Sequence, residues 1–237
     1  MVPKCVLLSL TVVLSSLTAT VRAADWHVPE GAAPGRPRVV ILGDSNIFGP
    51  MGKALEDRFV ADGWEVWRRA RPGSGLTHAR RYDWFASAAS LIAKVRPSVI
   101  VAQMGGNDVF ALKWPARAAH FAETYRARAR AFMTQLAADG RQVFWLSPTN
   151  RGPGAQRAAT IRDLQREAAT GLARVDFVDM FPLTSDEHGR WLRVIRAADG
   201  REVVVRRRDA IHLNDVGGVF VGERVIERLR DDGLPLR

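Results

Sequence analysis

Cysteine, lysine and tyrosine are scarce in this sequence. Among its 237 residues there are one cysteine, two tyrosines and, within 35 basic residues, only four lysines. Because the single cysteine, Cys5, lies near the amino terminus, the chain excludes a fold built on disulfides, a zinc site made of cysteines and a cysteine nucleophile. The fractions of hydrophobic (47%) and charged (25%) residues are those of a globular protein, which excludes a disordered or collagen-like chain.

Carboxylates are too few to balance the arginines. The 25 acidic residues leave a formal net charge of +10. Such basicity is typical of proteins that bind nucleic acid, a membrane surface or an acidic polymer. The cations are nearly all arginine and alanine is abundant, which GC-rich coding produces without selection for any ligand. We interpret the charge as mainly compositional, with an anionic partner as the alternative. A recognition-helix signature is absent, so nucleic acid is not expected as a partner.

The amino-terminal residues 1–23 have the pattern of a signal peptide. Lys4 precedes an apolar stretch that contains several serines and threonines, and the stretch ends at Val21-Arg22-Ala23. The stretch is short for a bilayer span, so we predict cleavage after Ala23, with an uncleaved membrane anchor as the alternative. The product would carry a net charge of +8 and no cysteine. The sequence therefore predicts a periplasmic or secreted protein without a stable membrane span.

A single domain is predicted over residues 38–237, preceded by a Pro/Gly/Ala-rich arm at 24–37. Short β-branched runs alternate with amphipathic stretches. The predicted strands are 38–42, 64–69, 98–104, 142–146 and 175–179. The predicted helices are 51–62, 84–95, 114–139, 155–172 and 216–230. This alternation indicates a parallel sheet covered by helices on both faces, with a ligand site at the carboxyl ends of the strands. A β-hairpin is expected from 191–195 and 202–206 around an Asp-Gly turn.

Four polar clusters follow the predicted strands or the hairpin. They are Gly43-Asp44-Ser45-Asn46 after the first strand, Arg71-Pro72-Gly73-Ser74-Gly75-Leu76-Thr77 after the second, Gly105-Gly106-Asn107-Asp108 after the third, and Asp209-Ala210-Ile211-His212 after the hairpin. Each cluster alone is a weak signal, because aspartate and asparagine are common turn residues. Together they provide the groups that nucleophilic catalysis by a hydroxyl requires.

A hydroxyl nucleophile needs a base in contact, a carboxylate that orients the base, and donors for the developing oxyanion. Ser45, on a turn at a strand tip, is placed to be exposed. The spacing of Asp209 and His212 allows the carboxylate to hold one ring nitrogen while the other faces Ser45. Gly75 permits a close approach of the backbone, and Asn107 offers a side-chain amide.

The four clusters resemble the sequence blocks of the SGNH hydrolase superfamily, the GDSL-type esterases. They occur in the family's order and span residues 43–212. The resemblance implies an α/β fold, a three-layer α/β/α sandwich with a flavodoxin-like parallel sheet of about five strands. Here the predicted β-hairpin would be a small addition before the Asp/His block.

The same resemblance implies a role for each of five residues. Ser45 would be the nucleophile, His212 the general base and Asp209 the group that orients the base. The oxyanion would be held by the N–H groups of Ser45 and Gly75 and by the side chain of Asn107. The resemblance implies neither a cofactor nor a metal ion.

A closer resemblance is to an exported bacterial subgroup, first catalogued as domain of unknown function 459. It rests on Pro72-Gly73-Ser74-Gly75-Leu76, on Tyr82-Asp83-Trp84 and on the hairpin before the Asp-x-x-His block. The first of these matches imperfectly. Asn46 also departs from the leucine that commonly follows Gly-Asp-Ser, which predicts an altered pocket next to Ser45.

Five residues are candidates for binding substrate: Asn46, Trp114, Arg206, Arg207 and Arg208. Trp114 follows the Gly-Gly-Asn-Asp block and could stack on a sugar, although most tryptophans belong to cores or rims. The three arginines stand immediately before Asp209. They form either a solvated turn or a site for an anionic substrate beside the triad.

Other polar residues are expected to be structural. Asp44 and Asp108 are expected to brace the surrounding loops. We expect His78 to lie on the surface and not in the cleft. We expect His27, His120 and His188 to face solvent. His188, with Asp186 and Glu187 beside it, lacks a second pair of ligands for a metal.

The predicted function is that of an exported serine esterase that hydrolyses small acyl esters, with carbohydrate O-acetyl esters as a candidate substrate class. Two alternatives stay open: an O-acyltransferase acting on envelope polysaccharide with the same triad, and a non-catalytic polysaccharide-binding module. Nucleotide binding lacks support, because the sequence contains neither GxxxxGK[ST] nor a matching GxGxxG. An obligate protein partner is not indicated.

Overall fold

The computed structural model of the protein describes residues 35–113 and 115–236. The predicted signal peptide and residues 24–34 of the predicted arm lie outside these residues. None of the helices within them is long and apolar enough to cross a bilayer.

A five-stranded parallel sheet forms the centre of the molecule. Its strands are β1 (Arg38–Gly43), β2 (Glu65–Ala70), β3 (Val99–Gln103), β4 (Gln142–Leu146) and β5 (Val175–Val178). They lie in the order β2-β1-β3-β4-β5, and every neighbouring pair is parallel. This is the flavodoxin-like order that the resemblance implied. The chain leaves β1 toward one edge and returns to its other side at β3, so a crevice opens beyond the carboxyl ends of these two strands.

Helices cover both faces of the sheet. They are α1 (Ser45–Phe48), α2 (Pro50–Ala61), α3 (Trp84–Val95), α4 (Pro115–Ala137), α5 (Ala155–Ala169), α6 (Met180–Leu183) and α7 (Asp215–Asp231). On one face, Val39 and Ile41 of β1 pack in a cluster with apolar residues of α2 and α7. On the other face, Val40 and Leu42 pack in a cluster with α3, α4 and α5. Both faces of β1 are therefore buried, which explains its uninterrupted apolar sequence. The predicted three-layer fold is confirmed.

The predicted elements appear with bounds that differ by a few residues. The hairpin is shorter than expected, with β6 (Val194–Arg196) antiparallel to β7 (Glu202–Val204). The helix expected at 114–139 is α4, which is followed by a short 3₁₀ turn at Ala138–Gly140. The sequence did not predict α1, α6 or the 3₁₀ turn at Asp108–Lys113, because four to six residues are too few to show a helical period.

Helix α7 packs against α2 at very short range. A Cβ atom on Gly218 of α7 would lie 2.3 Å from Cβ of Pro50 and 2.7 Å from the backbone N of Met51, both in α2. A Cβ atom on Gly222 would lie 2.8 Å from Cβ of Ala54. Only glycine permits this approach. Since α2 follows Ser45 and α7 follows His212, the contact brings the two ends of the domain together at the crevice.

We predict that Gly218→Ala destabilises the protein by about 1–3 kcal/mol, because the added methyl group pushes the two helices apart. Helix propensity alone would favour alanine by about 1 kcal/mol, so a net loss isolates the steric effect. Urea unfolding of both proteins measures the difference. Val219→Ala, at the next and half-exposed position, is the control and should change stability by no more than about 0.5 kcal/mol. A stabilised Gly218→Ala protein would contradict the packing argument.

Candidate active site

Ser45 lies at the carboxyl end of the central strand β1. Asp44, the residue before it, caps α1: its Oδ1 accepts the N–H of Asn46 at 3.1 Å. Ser45 is the first residue of this short helix and is half-buried. The serine hydroxyl is thus held on a tight strand-to-helix turn, at the crevice where the fold predicts a ligand.

The structure brings His212 and Asp209 to this serine across 167 positions of sequence. His212 Nε2 lies 2.9 Å from Ser45 Oγ, and His212 Nδ1 lies 2.6 Å from Asp209 Oδ2. The other oxygen of Asp209 accepts the N–H groups of Ile211 and His212 at 2.9 and 3.0 Å. The carboxylate therefore holds both the ring and the backbone of the base. This is the geometry of a hydroxyl activated by an oriented imidazole.

Asp209 remains ionised over the whole physiological range. Partial burial by itself would raise the pKa of this carboxyl, but the hydrogen bonds from the His212 ring and from the two N–H groups outweigh it and lower the pKa to about 2. An ionised carboxylate stabilises the imidazolium that forms when the ring accepts a proton.

Asp44 joins two of the loops at the crevice. Its Oδ2 accepts the N–H of Gly106 at 3.2 Å, so the carboxylate links the Ser45 turn to the loop after β3. The side chain is fully buried, and this burial raises its pKa to about 6, against the effect of the N–H donors of Asn46 and Gly106. These contacts are the bracing role expected from the sequence.

Asp108 joins the loops after β2 and β3. Its buried carboxylate accepts the N–H groups of Leu76 and Thr77 at 3.1 and 2.8 Å and the Thr77 hydroxyl at 2.6 Å. A Cβ atom on Gly75 would lie 2.5 Å from Asp108 Oδ1, so the loop accepts only glycine at this position. Asp108 is therefore also a brace, as expected.

The three predicted oxyanion donors are carried by these braced loops. One N–H of the Asn107 amide donates to the carbonyl of Ser74 at 2.8 Å, next to Gly75. The second amide N–H, and the backbone N–H groups of Ser45 and Gly75, have no acceptor within the part of the chain that the structure describes. All three residues thus offer a free donor, and their role at an oxyanion stays a prediction.

The prediction that Arg206 binds substrate is wrong. Its side chain is only 4% exposed, and its guanidinium donates to three carbonyls: Leu192 O at 3.0 Å, Ile211 O at 2.7 Å and Asn150 O at 2.6 Å. Burial and the charge of Arg151 lower its pKa to about 10, so it is still a cation at neutral pH. Arg206 ties together three segments, one of which carries Asp209 and His212, and all three of its guanidinium nitrogens are engaged in hydrogen bonds.

Of the remaining candidates, two line the cleft beside the triad. Arg207 is exposed and lines it together with Asn46. Arg208 is exposed in the turn, and Trp114 lies outside the described residues. The binding roles of these four residues stay predictions.

The histidines and tryptophans outside the triad fall in varied places. His78 lies 3.8 Å from Asp108 and is partly exposed, whereas His120 and His188 are exposed; His27 lies outside the described residues. Trp64, Trp84 and Trp145 are buried in the core. Within the described residues, no group of three histidine, cysteine or carboxylate side chains could hold a metal ion.

The cleft beside Ser45 and His212 has a volume of about 770 Å³. It runs between α1, α2 and α7, and Phe48 and Val219 expose apolar side chains along it, with Phe48 63% exposed. Lys53 and Asp57 form an ion pair on the same surface. The cleft is thus an open, largely apolar groove with a charged margin, of a size that suits a small organic ligand.

Two functional candidates escaped the sequence analysis: Arg151 and Arg157, in and after the loop that follows β4. Arg151 is buried, yet it has no hydrogen-bond or ion-pair partner among the described residues. The signal in the sequence that points to Arg151 is its place after a parallel strand, where ligand sites of such sheets occur.

We predict that Asp44→Asn becomes more stable relative to the natural protein as the pH rises from about 4 to about 7. The pKa of Asp44 is 3.8 in the unfolded chain and about 6 in the folded protein. Ionisation of Asp44 therefore lowers the free energy of unfolding. This loss is absent below the pKa of the unfolded chain and complete above the pKa of the folded protein. Asparagine lacks this cost, which amounts to about 3 kcal/mol.

Urea unfolding of both proteins at a series of pH values measures the change. The absolute difference at one pH also contains the loss of one oxygen acceptor, because asparagine offers a single oxygen to the N–H groups of Asn46 and Gly106. Only the slope therefore tests the pKa. A difference in stability that stays constant with pH would refute the raised pKa of Asp44.

Comparisons with known proteins identify the family of this chain. A family model described as "Protein of unknown function (DUF459)" matches residues 38–228, which confirms the resemblance stated from the sequence blocks. No curated protein matches the sequence.

Solved structures share the fold at low sequence identity. A protein of the G-D-S-L family from Desulfitobacterium hafniense is 14% identical, with a TM-score of 0.61 over 81% of this chain and 99% of the other. An acetylxylan esterase from Geobacillus stearothermophilus, Axe2, is 12% identical, with a TM-score of 0.59 over 81% and 94%. The esterase EstA from Pseudoalteromonas sp. is 15% identical, with a TM-score of 0.57 over 82% and 97%. At these identities the likeness establishes the fold.

Proposed function

We propose that this chain, which belongs to the DUF459 family and has the fold of the SGNH hydrolases, is a serine esterase that hydrolyses small acyl esters. The observation that carries the proposal is the continuous contact from Ser45 Oγ through the His212 ring to the Asp209 carboxylate. Esterase names among the proteins that share the fold support the same reaction class.

The reaction follows from the geometry. Ser45 Oγ attacks the ester carbonyl while His212 Nε2 accepts its proton, and Asp209 stabilises the imidazolium. The tetrahedral oxyanion would receive hydrogen bonds from the N–H groups of Ser45 and Gly75 and from the Asn107 amide. His212 then donates the proton to the leaving alcohol, which leaves an acyl group on Ser45. A water molecule, deprotonated by His212, releases the acid and restores the hydroxyl.

The cleft and the predicted export support a proposal about the substrate class. The groove beside Ser45 is open and largely apolar, which suits a short acyl group on a larger alcohol. We propose the O-acetyl esters of an extracellular or envelope polysaccharide, and the acetylxylan esterase among the structures of this fold supports that class. The proposal includes a signal peptide at 1–23, an arm at 24–37 and a catalytic domain at 38–237, acting in the periplasm or outside the cell.

We predict that Ser45→Ala lowers kcat for p-nitrophenyl acetate by about a thousandfold or more, because the acyl-enzyme can no longer form. The hydrolysis rate and the thermal unfolding of the variant are measured together. Ser90→Ala, an exposed serine of α3, is the matched control and should keep the activity of the natural protein. Retained turnover in Ser45→Ala would rule out the proposed mechanism.

Two further measurements separate the alternative functions. A fluorophosphonate probe that labels Ser45 in the natural protein supports a reactive serine, whereas the absence of labelling would favour a polysaccharide-binding module. Product analysis with and without an acceptor sugar distinguishes hydrolysis from acyl transfer, since both would use the same triad.

We predict that kcat/KM falls as the pH is lowered from neutral to acidic values, because an imidazole must be neutral to accept the Ser45 proton. Asp209, with a pKa of about 2, keeps its charge over this range and does not contribute to the fall. A pH series of initial rates with p-nitrophenyl acetate, checked for unchanged stability, tests this. A flat profile would count against His212 as the base.

A further inference from the structure

The loop that follows β4 is held against the catalytic loop. The N–H of Gly152 donates to the carbonyl of Ala210, between Asp209 and His212, at 3.3 Å. Arg206, just before the catalytic loop, donates to the carbonyl of Asn150 at 2.6 Å. The segment from Asn150 to the start of α5 therefore packs against the loop that carries Asp209 and His212, although none of its side chains belongs to the triad.

Arg151, in this segment, is a largely buried cation that has no hydrogen-bond or ion-pair partner among the described residues. Its side chain is only 6% exposed, its Nε has no hydrogen-bond partner, and its guanidinium makes no ion pair among the described residues. Burial and the nearby charge of Arg157 lower its pKa, against the attraction of Asp44. Since a buried charge is unfavourable unless it is paired, this guanidinium would be stabilised by an anion bound beside it.

Arg157 reaches the same place from the first turn of α5. A Cβ atom on Gly154, the cap of this helix, would lie 3.2 Å from Arg157 Nη2 and 3.8 Å from Arg151 Nη2, so both guanidinium groups converge at the helix amino terminus. Arg157 Nε is also buried without a partner. The 15-residue helix has no side-chain cap and no acidic residue in its first turn. Its terminal N–H groups can therefore donate hydrogen bonds to an anion.

Charges in the neighbourhood do not neutralise these two arginines. Arg206 is a third cation in this neighbourhood, and burial together with the charge of Arg151 lowers its pKa to about 10. Among the described residues, the carboxyl that attracts Arg151 is Asp44, whose oxygens already accept the N–H groups of Asn46 and Gly106. Asp44 is also adjacent to Ser45, so the unpaired cations lie within electrostatic range of the turn that carries the nucleophile.

We propose that Arg151, Arg157 and the amino terminus of α5 form an anion-binding subsite that holds a carboxylate or phosphate group of the ester substrate. Planar guanidinium groups bind such oxyanions with paired hydrogen bonds, which fix orientation as well as charge. The subsite rests on the proposed esterase function and narrows its substrates to esters that carry a negative charge. It lies on the α5 side of Ser45, opposite the apolar cleft between α2 and α7.

A binding experiment tests the subsite without any chemistry. Ser45→Ala protein is titrated with glucuronate, inorganic phosphate and, as the uncharged control, glucose, and the thermal midpoint is recorded. Glucuronate or phosphate should raise the midpoint and glucose should not, and which anion acts distinguishes a carboxylate from a phosphate. The shift should be lost when Arg157→Gln or Arg151→Gln is added to Ser45→Ala. No shift with either anion would overturn the subsite and leave the esterase proposal intact.

A kinetic experiment tests the link to catalysis. The kcat/KM values for p-nitrophenyl hydrogen succinate, which is anionic, and for p-nitrophenyl acetate, which is neutral, are measured for each arginine variant. The ratio of the anionic to the neutral value should fall about tenfold in Arg151→Gln and in Arg157→Gln. Arg196→Gln, an exposed hairpin arginine, removes the same charge elsewhere and should leave both values unchanged.

The ratio is informative even if a variant loses some stability, because both esters report on the same folded fraction. If Arg151→Gln does not fold, Arg157→Gln carries the test, since its side chain is less buried. An unchanged ratio in a folded Arg157→Gln protein, together with an unchanged anion-induced shift, would refute the subsite. If the natural protein hydrolyses neither ester, the esterase proposal is refuted instead.

Discussion

The close contact between α2 and α7 is the constraint on which the active site depends. Ser45 and His212 are separated by 167 positions, and no local interaction can bring them together. The helix after the nucleophile and the helix after the base approach until a Cβ at Gly218 would overlap Pro50 and Met51. The apolar cluster on this face of the sheet holds both helices. Packing of two regular elements thus sets the positions of Ser45 and His212, and the hydrogen bond between them follows from it.

Two buried carboxylates hold the other loops of the crevice in place relative to Ser45. Asp44 binds the loop after β3 and Asp108 binds the loop after β2, so the oxyanion candidates Gly75 and Asn107 are placed relative to Ser45 by hydrogen bonds and not by their own contacts with it. The strand order makes this possible, because β2 and β3 flank β1. The nucleophile then lies between an apolar cleft on the α2–α7 side and unpaired arginines on the α5 side.

Local patterns in the sequence predict the regular elements, whereas positions that depend on contacts between distant segments could not be predicted. Buried strands have continuous apolar runs and long helices have a clear period, so the parallel sheet and its covering helices could be predicted. The four-residue helices α1 and α6 have no such period. Arg206, Arg207 and Arg208 look alike in sequence, yet Arg206 is buried because carbonyls from three separate segments surround it. Arg151 was overlooked, although its place at a strand end was visible.

The arginines show the same difference between what the sequence determines and what the fold determines. The sequence by itself determined the excess of arginine, the alternation of strands and helices, and the Ser, Asp and His that meet the requirements of hydroxyl catalysis. Those properties depend on residue identity and near neighbours. Only the tertiary structure decided which arginines donate to buried carbonyls, which are exposed to solvent, and which are buried without a partner among the described residues. That outcome depends on desolvation and on groups far apart in the chain, and the packed fold alone brings these together.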